Sequence, residues 1–162
     1  MALFAIPNPK KTFSVDYSID NVKKAVLAIP FIDKKYKYTK SNDVLNQHTL
    51  EALEFLSLGV FIDFNLSSIS ENKTEITVEI RRKVGSFDQS HEITNANKHI
   101  EAIVDNLSKG ITLTDIDIEN LKKAESDKAV VQKEKEKHAN KRSLIIGAVI
   151  ILVIIIFNLL KK

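Results

Sequence analysis

The 162-residue sequence has no cysteine and no tryptophan, one methionine, three prolines and four glycines. Without cysteine there is no disulfide, no thiol nucleophile and no thiolate metal site, which agrees with a reducing compartment. No two of the glycines lie close enough to form a loop that cradles phosphate. A nucleophile elbow and a His-Glu-x-x-His helix are missing as well. These absences predict a chain that is not an enzyme and that carries no cofactor or metal.

Positive charge is scarce where nucleic acid would need it. Residues 1–121 hold 14 Lys/Arg against 17 Asp/Glu, whereas residues 122–142 hold eight against four, and the chain ends on two lysines. A phosphate-backbone binder concentrates basic residues on its folded domain. This charge pattern predicts no nucleic-acid partner and favours anionic lipid headgroups beside the basic stretch.

The longest apolar run is held back to the carboxyl end. From Leu144 to Leu160, 14 of 17 residues are Leu, Ile, Val or Phe. A helix apolar all round must be buried on every side, and the preceding chain is too small to enclose one. At about 1.5 Å per residue the segment reaches roughly 26 Å, the short end of a bilayer span. Leu144, Ile150, Ile155 and Leu160 mark this predicted span. Lys133, Lys135, Lys137, Lys141 and Arg142 precede it, and Lys161 and Lys162 follow it. These lysines and the arginine are the predicted contacts to anionic headgroups, and their imbalance keeps the folded part on the cytoplasmic side. The start, "MALFAIPNPKK", does not fit a signal peptide, and Ala2 replaces the glycine that myristoylation needs. The reading is a tail-anchored, single-pass membrane protein. Heavy use of Ile, Lys and Asn suggests a bacterial, AT-rich genome.

Residues 1–112 are enough for one soluble domain with one core. "TFSVDYS" alternates Phe13, Val15 and Tyr17 on one face as a strand. A helix follows, capped by Ser18 or Asp20, with Val22, Ala25, Val26 and Ile29 as its stripe and Pro30 as its end. "KYKYTK" turns Tyr36 and Tyr38 inward. "TLEALEFLSL" reads as a strand ending at Gly59. "VFIDFNL" and "EITVEIRRK" alternate cleanly, the second with Ile76, Val78 and Ile80 inward. After the polar loop "GSFDQSHE", a helix carries Ile93, Ala96, Ile100, Ile103, Val104 and Leu107 and stops at Gly110. The expected architecture is α+β: an antiparallel sheet of about five strands with both helices on one face, plus the carboxyl-terminal membrane helix. Residues 113–142 form a charged linker. Thr114 and Asp117 resemble a capping box, so the linker is a helix or a solvated tether.

The β-α-β4-α order over residues 12–109, with its "LSLG" to "NKTEITVEI" double strand, resembles small bacterial domains of TATA-binding-protein-like or helix-grip shape. Candidate chemistry is sparse. His91, Asp88, Glu92 and His99 do not share one helical face, and surface histidines are the commoner arrangement. Glu54 is an acid in an apolar run, and Phe87 anchors a partner or folds onto the core. The predicted function is a small cytoplasmic, non-catalytic binding domain displayed at the bilayer. The alternatives are a structural subunit contacting another membrane protein, or a membrane-tethered carrier of a small apolar ligand held between sheet and last helix.

Overall fold

The computed structural model describes residues 6–53, 59–128, 131 and 133. The chain forms two compact units, Met1–Ile118 and Glu119–Lys162. In the first unit the elements run β1 (Lys10–Val15), α1 (Ile19–Ile32), β2 (Tyr36–Asn42), β3 (Gln47–Ala52), β4 (Val60–Ser70), β5 (Lys73–Arg82) and α2 (Ser90–Thr112). All strand pairs are antiparallel, in the order β1-β5-β4-β3-β2. This is the α+β class with a five-stranded antiparallel sheet that the alternation predicts.

α1 carries the chain from one sheet edge to the other. Four strand spacings are roughly 19 Å, and the 14 residues of α1 reach about 21 Å. The helix is therefore about as long as the sheet is wide. Its buried stripe, Val22, Ala25, Val26 and Ile29, joins Ile62, Phe64, Ile76, Val78 and Ile80 of the sheet and Ile100, Ile103 and Leu107 of α2 in one core. Both helices thus cover the same sheet face.

Several boundaries differ from the sequence reading, each for a local reason. β1 begins at Lys10 and ends at Val15, so Tyr17 lies beyond it, 44 % exposed. Ser18 is the cap of α1, accepting from Asn21 N–H at 3.4 Å. Pro30 does not end α1. It sits in the last turn and donates no N–H to the turn before it, yet the helix runs on to Ile32, and Asp33 N–H closes it on Ile29 O at 2.8 Å. Tyr38 shares a register position with inward-facing Leu50, yet it is 43 % exposed because β2 is an edge strand. β3 starts earlier than predicted, at Gln47, and the rest of the "EFLSL" stretch, with Glu54, lies outside the described residues.

Gly110 is not a stop signal. It lies inside α2, which continues to Thr112. A Cβ there would meet Ala25 O, Cα and Cβ at 3.0–3.2 Å, so the glycine lets α1 and α2 cross almost backbone to backbone. Gly59 has φ +88°, and a Cβ there would collide with the Ala52 carbonyl. Only glycine fits the entry to β4.

The predicted capping box is present: Asp117 N–H donates to Thr114 Oγ1 at 3.2 Å, and Thr114 N–H donates to Asp117 Oδ2 at 2.9 Å. In the second unit, residues 119–128, 131 and 133 are helical, which favours the helical linker there. No helix of the described residues is long and apolar enough to cross a membrane. The predicted span, including Leu144, Ile150, Ile155 and Leu160, lies outside them.

Candidate functional site

Buried against the helix-covered face of the sheet, apart from Thr74, which donates to Tyr17 O at 2.8 Å, are two polar points, each marked by a histidine. The first is beside the start of β2. Tyr36 opens that strand at 1 % exposure, facing α2, where His99 is also 1 % exposed. Their rings meet edge to face at 5.7 Å, and the Tyr36 hydroxyl and His99 Nδ1 share a buried hydrogen bond of 3.2 Å. Around this pair, Asp33 takes Lys35 N–H at 3.0 Å on one oxygen and Asn106 Nδ2 at 3.4 Å on the other. Burial first, and the Asp33 charge second, push the Tyr36 phenol up to about 12. The phenol therefore stays protonated at physiological pH and is able to donate to His99. A phenol and an imidazole in direct contact are also able to pass a proton.

The second point is His48, on β3. Strand alternation groups it with Leu50 and Ala52, and it pairs in register with buried Phe64. It is 2 % exposed, and neither ring nitrogen has a hydrogen-bond partner among the described residues. Desolvation lowers its proton affinity, the nearby Lys23 charge adds to this, and Asp43 opposes it. A polar group buried without a partner destabilises a fold by roughly 1–3 kcal/mol, which makes His48 an exception that calls for a reason. Four residues of β3 separate His48 from Ala52, the register partner of Tyr36. At about 3.3 Å per residue the two polar points stand roughly 13 Å apart. Leu50, Ile62 and Ile80 lie between them, all fully buried.

The opposite face of the sheet is polar, as the alternation of β4 and β5 predicts. Lys40, Thr49, Asp63 and Glu79 line up across four strands. Asp63 is held by Arg81 Nε at 2.5 Å and Thr49 Oγ1 at 2.7 Å. The hydrogen bond and charge of Asp63 raise the already high proton affinity of Arg81. Asn42, Gln47 and Asn65 form the next row, and between the rows runs an open trough of about 440 Å³. Its cations and carboxylates are balanced.

The sequence reading of the histidines needs correction. His48 and His99 are core residues, each on a sheet-facing or helix-facing position that period counting alone left as surface. Asp88 and Glu92 do not converge with His91 on an ion. Glu92 accepts from Asp88 N–H, Gln89 N–H and Arg82, which fastens the start of α2 to β5. No metal-competent cluster occurs among the described residues. Phe87 folds back on the core at 2 % exposure, and its carbonyl accepts Ile6 N–H. Among the predicted headgroup contacts, Lys133 is helical and exposed, whereas Lys135, Lys137, Lys141, Arg142, Lys161 and Lys162 lie outside the described residues. The Tyr36–His99 pair left no motif in the sequence. His48 had one signal: it continues the inward alternation of Leu50 and Ala52.

The sequence matches no protein-family model and no characterised protein. Solved structures do match. A START superfamily protein from Mycobacterium smegmatis is 11 % identical, with 64 % of this chain and 94 % of that one covered at a TM-score of 0.46. CalU16 from Micromonospora echinospora is 12 % identical over 74 % and 87 %, at 0.49. The Zhui aromatase/cyclase from a Streptomyces species is 10 % identical over 64 % and 87 %, at 0.36. At such identities the likeness concerns the fold, and it agrees with the helix-grip shape of the two resemblances. It also corrects the expectation that the chain is not an enzyme. An aromatase/cyclase is among the matching structures, and the absence of short motifs does not by itself exclude catalysis.

Proposed function

We infer that this chain is a small-molecule-binding domain of helix-grip shape, tethered to a membrane by residues 144–160. The ligand is an elongated, mostly apolar molecule with a hydrogen-bonding group, lodged between the sheet and α2. His48 carries this reading: a fully enclosed imidazole with two unmet ring nitrogens supports a partner that comes from outside the chain. The apolar stretch from His48 to the Tyr36–His99 pair suits a molecule about 13 Å long. The described side chains fill the sheet face at Ile62, Phe64, Ile76, Val78 and Ile80, so occupancy requires α2 to move outward.

The tether rests on hydropathy alone. Its apolar residues each favour insertion by about 0.3–0.6 kcal/mol near the helix centre. A second reading, chemistry on the bound molecule, is favoured by one observation: the directly bonded Tyr36 and His99, a proton donor and acceptor pair at one end of the same face.

The test uses the full chain purified from its native membranes and analysed by mass spectrometry for bound small molecules. An amphiphile should accompany the unaltered chain and be absent from His48→Leu, whose apolar replacement keeps the core intact. A chain that carries nothing, or a variant that carries the same molecule, overturns the ligand reading. Separately, the intact chain should resist alkaline extraction from membranes, and removal of residues 143–162 should release it. An intact chain found in the supernatant overturns the tether.

A further inference from the structure

We propose that the folded domain has its own site for the phosphate of an anionic membrane lipid, in a hollow walled by Lys34, Lys35, Lys37, Glu51 and Leu53. The proposal rests on the membrane reading above and adds a contact far in sequence from the basic linker.

The hollow measures about 160 Å³ and lies where α1 hands over to β2. Three of its five walls are lysines, in a stretch of chain (residues 1–121) that is net acidic. The one carboxylate in the wall is already used: Glu51 receives Lys83 Nζ at 2.7 Å. Asp33, another acid close in sequence, is turned to Lys35 N–H and Asn106. Lys35 and Lys37 have no carboxylate partner among the described residues, and the Lys35 ammonium rests 5.9 Å from the Tyr36 ring. Among the described residues, the charge that remains around the hollow is that of Lys35 and Lys37, and it is complementary to an anion.

Apolar side chains decide which anion. Leu53, in the wall, is 64 % exposed. Gly59 lies against Ala52 and Leu53, and Lys83 N–H donates to Gly59 O at 3.1 Å, so β5 leaves the sheet beside Leu53. The next residue, Val84, is 60 % exposed. A soluble phosphate has no use for bare Leu and Val beside its cations. A bilayer interface takes both, lysine heads at the phosphates and apolar side chains below them.

The full chain is reconstituted in nanodiscs of phosphatidylcholine alone, or with three-tenths phosphatidylserine, and amide hydrogen exchange is followed at residues 34–37 and 53. Each basic residue near an anionic surface contributes about 1 kcal/mol, or roughly fivefold. Exchange should slow at least ~5-fold with phosphatidylserine, and high salt should reverse it. The double variant Lys35→Glu, Lys37→Glu should lose the effect while β4 and β5 keep their protection. Three results overturn the site: no slowing in the anionic discs, the same slowing in the double variant, or equal slowing by inorganic phosphate at 10 mM in phosphatidylcholine discs. If the chain fails to integrate into discs, the same protein is tested by cosedimentation with phosphatidylserine vesicles. Loss of binding in the double variant there supports the site even when the tether reading has failed, and equal binding overturns it.

Discussion

The two buried histidines stand on one sheet face and receive opposite treatment. His99 comes from α2 and meets a tyrosine that shares its hydrogen bond. His48 comes from β3 and meets no such partner among the described residues. Burial is equal, so burial is not what separates them. The difference is that the His99 end is closed by the chain itself, with Asp33 and Asn106 behind it. The His48 end leaves a polar group open to something else. A satisfied buried network adds rigidity, whereas an unsatisfied one destabilises and persists where it serves a purpose.

The comparison is broken most severely from the His99 end. Gly59 precedes Val60, which pairs with Ala52, and Ala52 pairs with Tyr36. Gly59→Ala should force the Ala52 carbonyl away, destabilising the domain by about 3 kcal/mol through backbone strain and overlap, read as a lowered denaturation midpoint. A smaller loss, about 1–2 kcal/mol, is expected for Tyr36→Phe, which removes the phenol from His99. At the other end the sign reverses. His48→Leu should stabilise by roughly 1–2 kcal/mol, because an unmet polar group is replaced by an apolar one. If His48→Leu destabilises as much as Tyr36→Phe, the two ends are alike and the contrast fails.

The smallest effects are in pH. The folded chain holds the His48 proton affinity below its ordinary 6.5, so the unfolded chain takes up the proton first. Stability should be complete above pH 6.5 and decline as pH falls below it, with His48→Leu flattening that decline. Tyr36 behaves oppositely. Its affinity is raised from 10.0 to about 12, so stability should erode as pH rises through that window, and Tyr36→Phe should remove the erosion. Denaturation of the full chain across pH reads both.

Much of the sheet was legible because β4 and β5 obey a strict period of two, with Ile62 and Phe64, then Ile76, Val78 and Ile80, turned inward. The helix stripes were legible for the same reason. What escaped depended on contacts across long stretches of chain. Tyr36 and His99 are 63 residues apart, and nothing local to either announces the other. Gly110 reads as a helix stop because glycine usually is one there; its use as a crossing point needs knowledge of where Ala25 lies. His48 fell just outside a strand whose start was placed one pair too late. The balanced trough and the lysine-walled hollow arise only when strands far apart in sequence are set side by side.

With no side chain on Gly110 to hold it off Ala25, α1 and α2 are fastened at the very turn from which the chain departs toward its carboxyl end. A pull on that departing strand is shared by two helices rather than borne by one. Whatever moves α2 outward from the sheet must therefore carry α1 with it, so that the helix layer lifts as a single slab.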